Sequence, residues 1–149
     1  WREGDAGLTL LTLLDSAEAG TRFTAGRLHP DGLIYVAGTD DGRLVIWDLK
    51  TQAVAGTLEG HDGRPVDSIA ISENGYHVAS ATSAAPDAPV HLWDLRKLKL
   101  GAIIATGAVG AVAALAFDPT ATYLAYAGEA GARVCVAKAW DRVVASVDW

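Results

Sequence analysis

The sequence predicts an all-β protein, part of a WD-type β-propeller with about three four-stranded blades of a larger ring. Short apolar runs alternate with Gly, Pro, Asn and Asp turn signals along most of the chain. One layout of strands and turns recurs, with 43 residues from Gly32 to Gly75 and 46 from Gly75 to Ala121. Spacings of about 40 to 45 residues suit four-stranded blades, and helical repeats are excluded because each half-unit is too short and too rich in turns.

The complete unit runs from Gly60-His61 to Trp93-Asp94. Within it Val66, Ile69 and Ile71 space a short strand and Glu73-Asn74-Gly75 turns the chain; Tyr76 to Ala81 runs back, and Val90 to Trp93 makes a third strand. The unit before it has Phe23 to Leu28, the turn His29-Pro30-Asp31-Gly32, Leu33 to Gly38, the turn Asp40-Asp41-Gly42, and Arg43 to Trp47 closed by Asp48. Outer strands are expected at Ala53 to Leu58 and Gly101 to Thr106. The apolar run Leu8 to Leu14 is assigned to a preceding blade. The expected division is 1–20 as outer strand and loop of that blade, 21–59 and 60–106 as blades, and 107–149 as a degenerate blade plus following strand.

The last unit holds a misleading Trp-Asp pair. Counting its closing strand from the Asp118-Pro119-Thr120-Ala121 turn puts Cys135 where Trp47 and Trp93 stand, on a strand Arg133 to Ala137. Trp140 then falls in the link beyond it, before an outer strand Val143 to Val147.

Composition narrows function. With a formal charge of −6 and a pI near 5.0, the chain lacks the basic stripe of a nucleic-acid binder, so direct nucleic-acid binding is not expected. No apolar run reaches the ~18 residues of a membrane-spanning helix, and no membrane partner is expected. The single Cys135 offers neither a disulfide framework nor a thiolate cage. The chain starts at Trp1 and has no methionine, which reads as a piece of a longer protein.

The polar marks read first as structural. A buried hydrogen-bonded chain is expected from His61, Ser80 or Thr82, Asp87 and Trp93, because a buried imidazole or indole N–H left unpaired costs about 1 to 3 kcal/mol. Asp41 precedes Trp47 by the same interval as Asp87 precedes Trp93, so both acids are expected in one place of their blades; Asp48 and Asp94 close the third strands. A Ser80, His61, Asp87 triad is the catalytic alternative, but no Gly-x-Ser-x-Gly elbow surrounds Ser80 and no catalytic residue is assigned. His77 and His91 are expected on the solvent side of neighbouring strands; a metal would need a third ligand such as Asp67, and no metal or cofactor is expected. Recognition is expected on the loops joining blades and joining second to third strands, with Arg43, Arg64, Asp62 and Asp40 as candidate partner contacts. The cluster Arg96, Lys97 and Lys99 reads as a solvated link, with a docking patch for an acidic partner as the alternative.

Four stretches go beyond the general pattern: Leu28-His29-Pro30-Asp31-Gly32-Leu33-Ile34, Ile46-Trp47-Asp48-Leu49-Lys50, Ser72-Glu73-Asn74-Gly75-Tyr76, and Leu92-Trp93-Asp94-Leu95-Arg96-Lys97-Leu98-Lys99. In this order they resemble the C-terminal WD-repeat propeller of the pre-mRNA-processing factor 19 family, over about Leu8 to Trp140. The resemblance implies a nuclear, spliceosome-associated U-box ubiquitin ligase, with a tetramer-forming coiled coil and a propeller that recruits nineteen-complex components and substrates, in splicing and DNA repair. Neither a U-box nor a sustained heptad occurs here, so ligase chemistry would belong to a full-length relative. The alternative is a WD scaffold of an unrelated intracellular complex with no ubiquitin role. Gly26 departs from the pattern, standing where Ile69 and Leu115 stand, and it predicts weaker local packing.

Overall fold

A computed structural model describes residues 2–4, 7–9, 20–137 and 139–149. The hairpin β1 (Arg2–Gly4) and β2 (Gly7–Thr9) forms a two-stranded sheet, and the rest of the expected Leu8 to Leu14 run lies outside the described residues. Three four-stranded antiparallel sheets follow in chain order. The first is β3 (Phe23–Leu28), β4 (Ile34–Thr39), β5 (Arg43–Asp48) and β6 (Ala53–Glu59). The second is β7 (Ser68–Ile71), β8 (His77–Ala81), β9 (Val90–Asp94) and β10 (Lys99–Ile104). The third is β11 (Val112–Phe117), β12 (Tyr123–Gly128), β13 (Gly131–Val136) and β14 (Ala139–Asp148). Each sheet is an up-and-down meander of consecutive strands, the construction of a propeller blade.

Local chemistry sets the turns. Asp31 accepts the Leu33 N–H at 2.8 Å, Asn74 accepts the Tyr76 N–H at 3.0 Å, and Asp118 accepts the Thr120 and Thr122 N–H groups. Such side-chain turns pin the first hairpin of each sheet without a long loop. Gly75 has a φ of +73°, and a Cβ there would lie 2.5 Å from the His29 ring, whose Nε2 sits 3.0 Å from the Gly75 carbonyl. Only glycine allows this tie between the first and second sheets.

The register aligns the blades. Trp47 pairs with Tyr35, Trp93 with Val78, and Cys135 with Leu124, so Cys135 occupies the tryptophan position. Tyr126, in the same buried cluster as Cys135, stands where Ala37 and Ser80 stand, and bulk has moved from the third strand to the second. Trp140 differs from its expected place in a link. It belongs to β14, because the strand begins at Ala139, and it packs against Phe117 and His77.

Two layers of core lie between the sheets. Val36, Leu44, Ile46 and Leu58 meet Val66, Ile69, Val78 and Trp93; Ala79, Val90, Leu92 and Ile104 meet Val112, Leu124, Tyr126 and Cys135. The second sheet is thus apolar on both faces. The third is covered on one face only. Its Val134 and Ala132 correspond by register to Leu92 and Val90 but are half-buried, and Val147 is 60% exposed where its counterparts Leu58 and Ile104 are 3%. The free face carries a shallow apolar hollow of about 140 Å³ between β11, β12 and β13.

Gly26 has a compensating neighbour. A Cβ on Gly26 would lie 1.9 Å from the Tyr35 hydroxyl, so the tyrosine ring fills the space that Ile69 and Leu115 fill in the other sheets. Gly26→Ile alone is therefore expected to destabilise by about 1 to 3 kcal/mol through overpacking. Gly26→Ile with Tyr35→Val, the combination present as Ile69 and Val78, is expected to regain most of it in a chemical unfolding series; an undiminished loss in the pair would refute the compensation.

Candidate partner-binding face

The polar marks separate into a buried group and an exposed group. In the second sheet the Trp93 indole N–H donates to Ser80 Oγ at 2.8 Å, and His61 Nε2 lies 2.8 Å from the same oxygen. Ser80 is fully buried and His61 and Trp93 nearly so. The group is satisfied when the Ser80 hydroxyl donates to His61 Nε2, which leaves His61 as the Nδ1–H tautomer. A serine oxygen sealed from solvent and engaged twice has no room for a substrate carbonyl, so the geometry does not support the triad.

Asp87 stands apart from this group. It is exposed in the loop between β8 and β9, and among the described residues none of these bonds reaches it. The cause is loop length. In the first sheet the short turn Asp40–Gly42 brings Asp41 to 2.5 Å from Thr39 Oγ1. In the second, Ser83 to Pro89 carries two prolines and cannot form that turn. Thr82, buried next to the loop, accepts the Ala84 N–H at 3.1 Å instead of joining His61. Trp47 is buried in the equivalent place of the first sheet. Asp48 caps its hairpin by accepting the Lys50 and Thr51 N–H groups, and Asp94 accepts the Arg96 N–H.

His77 and His91 are not on a solvent side. His91 is 9% exposed and stacks on His61 with ring centroids 4.1 Å apart, while His77 is half-buried with its ring edge-on to Trp140 at 5.8 Å. Alternation predicts an open face for them, but a strand in the middle of a packed stack of sheets has none.

Burial and the neighbouring His91 hold the His61 imidazole down at about 4, from an ordinary 6.5. The unfolded chain thus takes up a proton below about pH 6.5 that the folded protein refuses until about pH 4. Stability from this group is complete above the upper value and falls as pH drops between them, by up to about 3 kcal/mol. Urea unfolding at descending pH is expected to show this decline, and a flat profile from neutrality down to about pH 4.5 would exclude it.

The exposed group gathers on one face. A Cβ on Gly42 would lie 2.6 Å from the Gly60 carbonyl, so the Asp40–Gly42 turn rests on the loop through His61, Asp62 and Arg64. Asp67, after that loop, accepts from the Ser83 N–H and hydroxyl, drawing in the loop between β8 and β9. The candidate arginines differ. Arg43 is held by Asp41 at 2.6 Å and by Thr21 at 3.2 Å, and the Arg43 and Thr39 hydrogen bonds bring the Asp41 carboxyl down to about 2. Arg64 is more open, with Asp62 at 3.9 Å. Asp40 is bound by Arg22 at 3.1 Å. The anchoring roles of Arg22 and Asp67 escape a reading of the sequence, because each partner is a loop residue more than ten positions away.

Residues 20–48 and 53–94 match the family model "WD domain, G-beta repeat". Pre-mRNA-processing factor 19 of Homo sapiens is 40% identical over 135 residues, which is 91% of this chain and 26% of the relative. Pre-mRNA-processing factor 19 homolog 2 of Arabidopsis thaliana is 43% identical over 105 residues, 70% of the chain and 18% of the relative. The chain is a WD-repeat segment similar to part of pre-mRNA-processing factor 19. It spans about a quarter or less of the length of these curated relatives. Among solved structures, the Cps50 (Swd1) β-propeller domain of Myceliophteria thermophila superposes with a TM-score of 0.71 at 26% identity, covering 93% of the chain and 41% of that domain. The three sheets are thus part of a WD-repeat propeller.

Proposed function

We propose that the chain recruits proteins for a splicing assembly of the nucleus, through the face formed by Asp40–Arg43, His61–Arg64 and the Ser83–Asp87 loop. The observation that carries this is the joining of three loops from two neighbouring sheets on a rigid β scaffold, in a chain similar to part of pre-mRNA-processing factor 19. Recruitment of substrates to a ubiquitin ligase, a role in DNA repair and partnership with nineteen-complex components extend the same reading and belong to the full-length protein. No residue of this face is assigned a catalytic step or a cofactor.

Arg64 and Asp62 are the contacts to test, because they are more open than Arg43. In the full-length protein, Asp62→Ala with Arg64→Ala is expected to reduce capture of splicing partners in a pull-down by about tenfold, the loss of one interface hot spot. Arg43→Ala is expected to act on stability instead, by loosening the Asp40–Gly42 turn. Undiminished capture of every partner by the double variant would remove this face from recognition.

A further inference from the structure

Arg27 is placed unlike five other arginines of the chain. Arg22, Arg43, Arg64, Arg96 and Arg133 each stand within ion-pair distance of an aspartate. Among the described residues Arg27 has no such partner; its Nη1 reaches only the Gly26 carbonyl, at 3.3 Å. It lies on β3, an edge strand of its sheet, and borders two open hollows of about 360 and 370 Å³ between β3, β7 and β11. The acids on these hollows do not neutralise it. Asp67 is engaged by Ser83, and Glu73 forms no ion pair with Arg27.

The surroundings of Arg27 are cleared for an occupant. By register Arg27 faces Val36, as Ala70 faces Ala79 and Ala116 faces Ala125. The positions equivalent to Arg27 in the other two sheets are therefore alanines, and both border the same lower hollow. One long cation hangs over a space that its counterparts leave empty. Apart from Glu73, the side chains around this hollow are apolar, among them Leu28, Ile71, Leu115 and Phe117, and Leu28 is 56% exposed.

We infer that this axial groove binds an extended segment of a partner protein carrying a carboxylate beside a large apolar side chain. The carboxylate accepts two parallel hydrogen bonds from the planar fork of the Arg27 guanidinium, and the apolar side chain rests on Leu115 and Phe117. A nucleic-acid strand is disfavoured, because a lone cation in a chain of net charge −6 offers no track for successive phosphates. The inference rests on the protein-recruiting reading above and names a second contact for it, distinct from the Arg64 face.

Three peptides carrying fluorescein at the N-terminus test it by anisotropy against the full-length protein: fluorescein-Ser-Gly-Leu-Phe-Glu-Leu-Gly-Ser-amide and its counterparts with Gln or Lys in place of Glu. The Glu peptide is expected to bind at least about tenfold more tightly than the Gln peptide. Arg27→Glu is expected to reverse the order in favour of the Lys peptide, a gain that a misfolded variant cannot show. Arg64→Ala is expected to leave all three affinities unchanged. Equal binding of the three peptides, no binding of the Glu peptide, or an unchanged order in Arg27→Glu would overturn the inference. Loss of the Glu peptide in Arg64→Ala would also overturn it, by moving the contact to the other face while leaving the recruiting function standing. A wild-type protein that captures no partner in the pull-down would instead remove the recruiting function, and the groove proposal with it.

Discussion

Replacing Trp93 with alanine is expected to destabilise the protein by about 3 to 5 kcal/mol, the range for deleting a buried aromatic side chain. Trp93 is 2% exposed and packs in the layer between the first two sheets, where its indole also supplies a donor to Ser80. The two contributions can be separated. Trp93→Phe keeps most of the packing and removes the donor, and is expected to cost about 1 to 2 kcal/mol. Ser80→Ala leaves both the indole N–H and His61 without their partner, at about 1 to 3 kcal/mol. A double-mutant cycle on Trp93→Phe and Ser80→Ala is therefore expected to be clearly non-additive, since both break one bond. Additive losses in urea unfolding would show that the bond contributes nothing and that packing alone holds Trp93.

The corresponding change in the third sheet runs the other way. Cys135 is fully buried beneath the Leu124 carbonyl, 3.4 Å from its sulfur, and shares its cluster with Tyr126. Burial raises the thiol to about 11, so it behaves as a small apolar group rather than a nucleophile. A tryptophan at this position would restore the family pattern in sequence and overfill the site in space.

Such exchanges mark the limit of what the sequence makes legible. Strand order, turn positions and the equivalence of Cys135 with Trp93 follow from spacing, because turn chemistry at Asp31, Asn74 and Asp118 is local. Which polar groups meet is not local. Asp87 keeps the expected interval to Trp93, yet the prolines of its loop hold it outside the buried group, and interval alone does not reveal that. His77 and His91 alternate like half-exposed strand residues because periodicity cannot see a neighbouring sheet. Arg27 is unremarkable in sequence. Its meaning arises only when the register sets it against Ala70 and Ala116.

The uncovered face of the third sheet should behave oppositely in two contexts. Ala125, Ala127, Ala132 and Val134 stand where Val36 and Ala79, the Gly38 and Ala81 pair, Leu44 and Val90, and Ile46 and Leu92 stand in the sheets before it, and those counterparts lie under a neighbouring sheet. An apolar sheet face of this kind is covered in a closed ring and invites association when open. Residues 1–149 expressed alone are thus expected to self-associate and to melt broadly. Ala127→Glu with Val134→Lys should render them more soluble, because charges on an open face are solvated. In the full-length protein the same pair is expected to destabilise by more than about 3 kcal/mol, since two charges would lose their water against the next sheet at a cost that their mutual attraction does not repay. Size-exclusion chromatography of the first and thermal melting of the second read the two signs. A soluble monomer with one sharp melt from unaltered residues 1–149, or a full-length variant as stable as the parent, would show that no further sheet rests on this face.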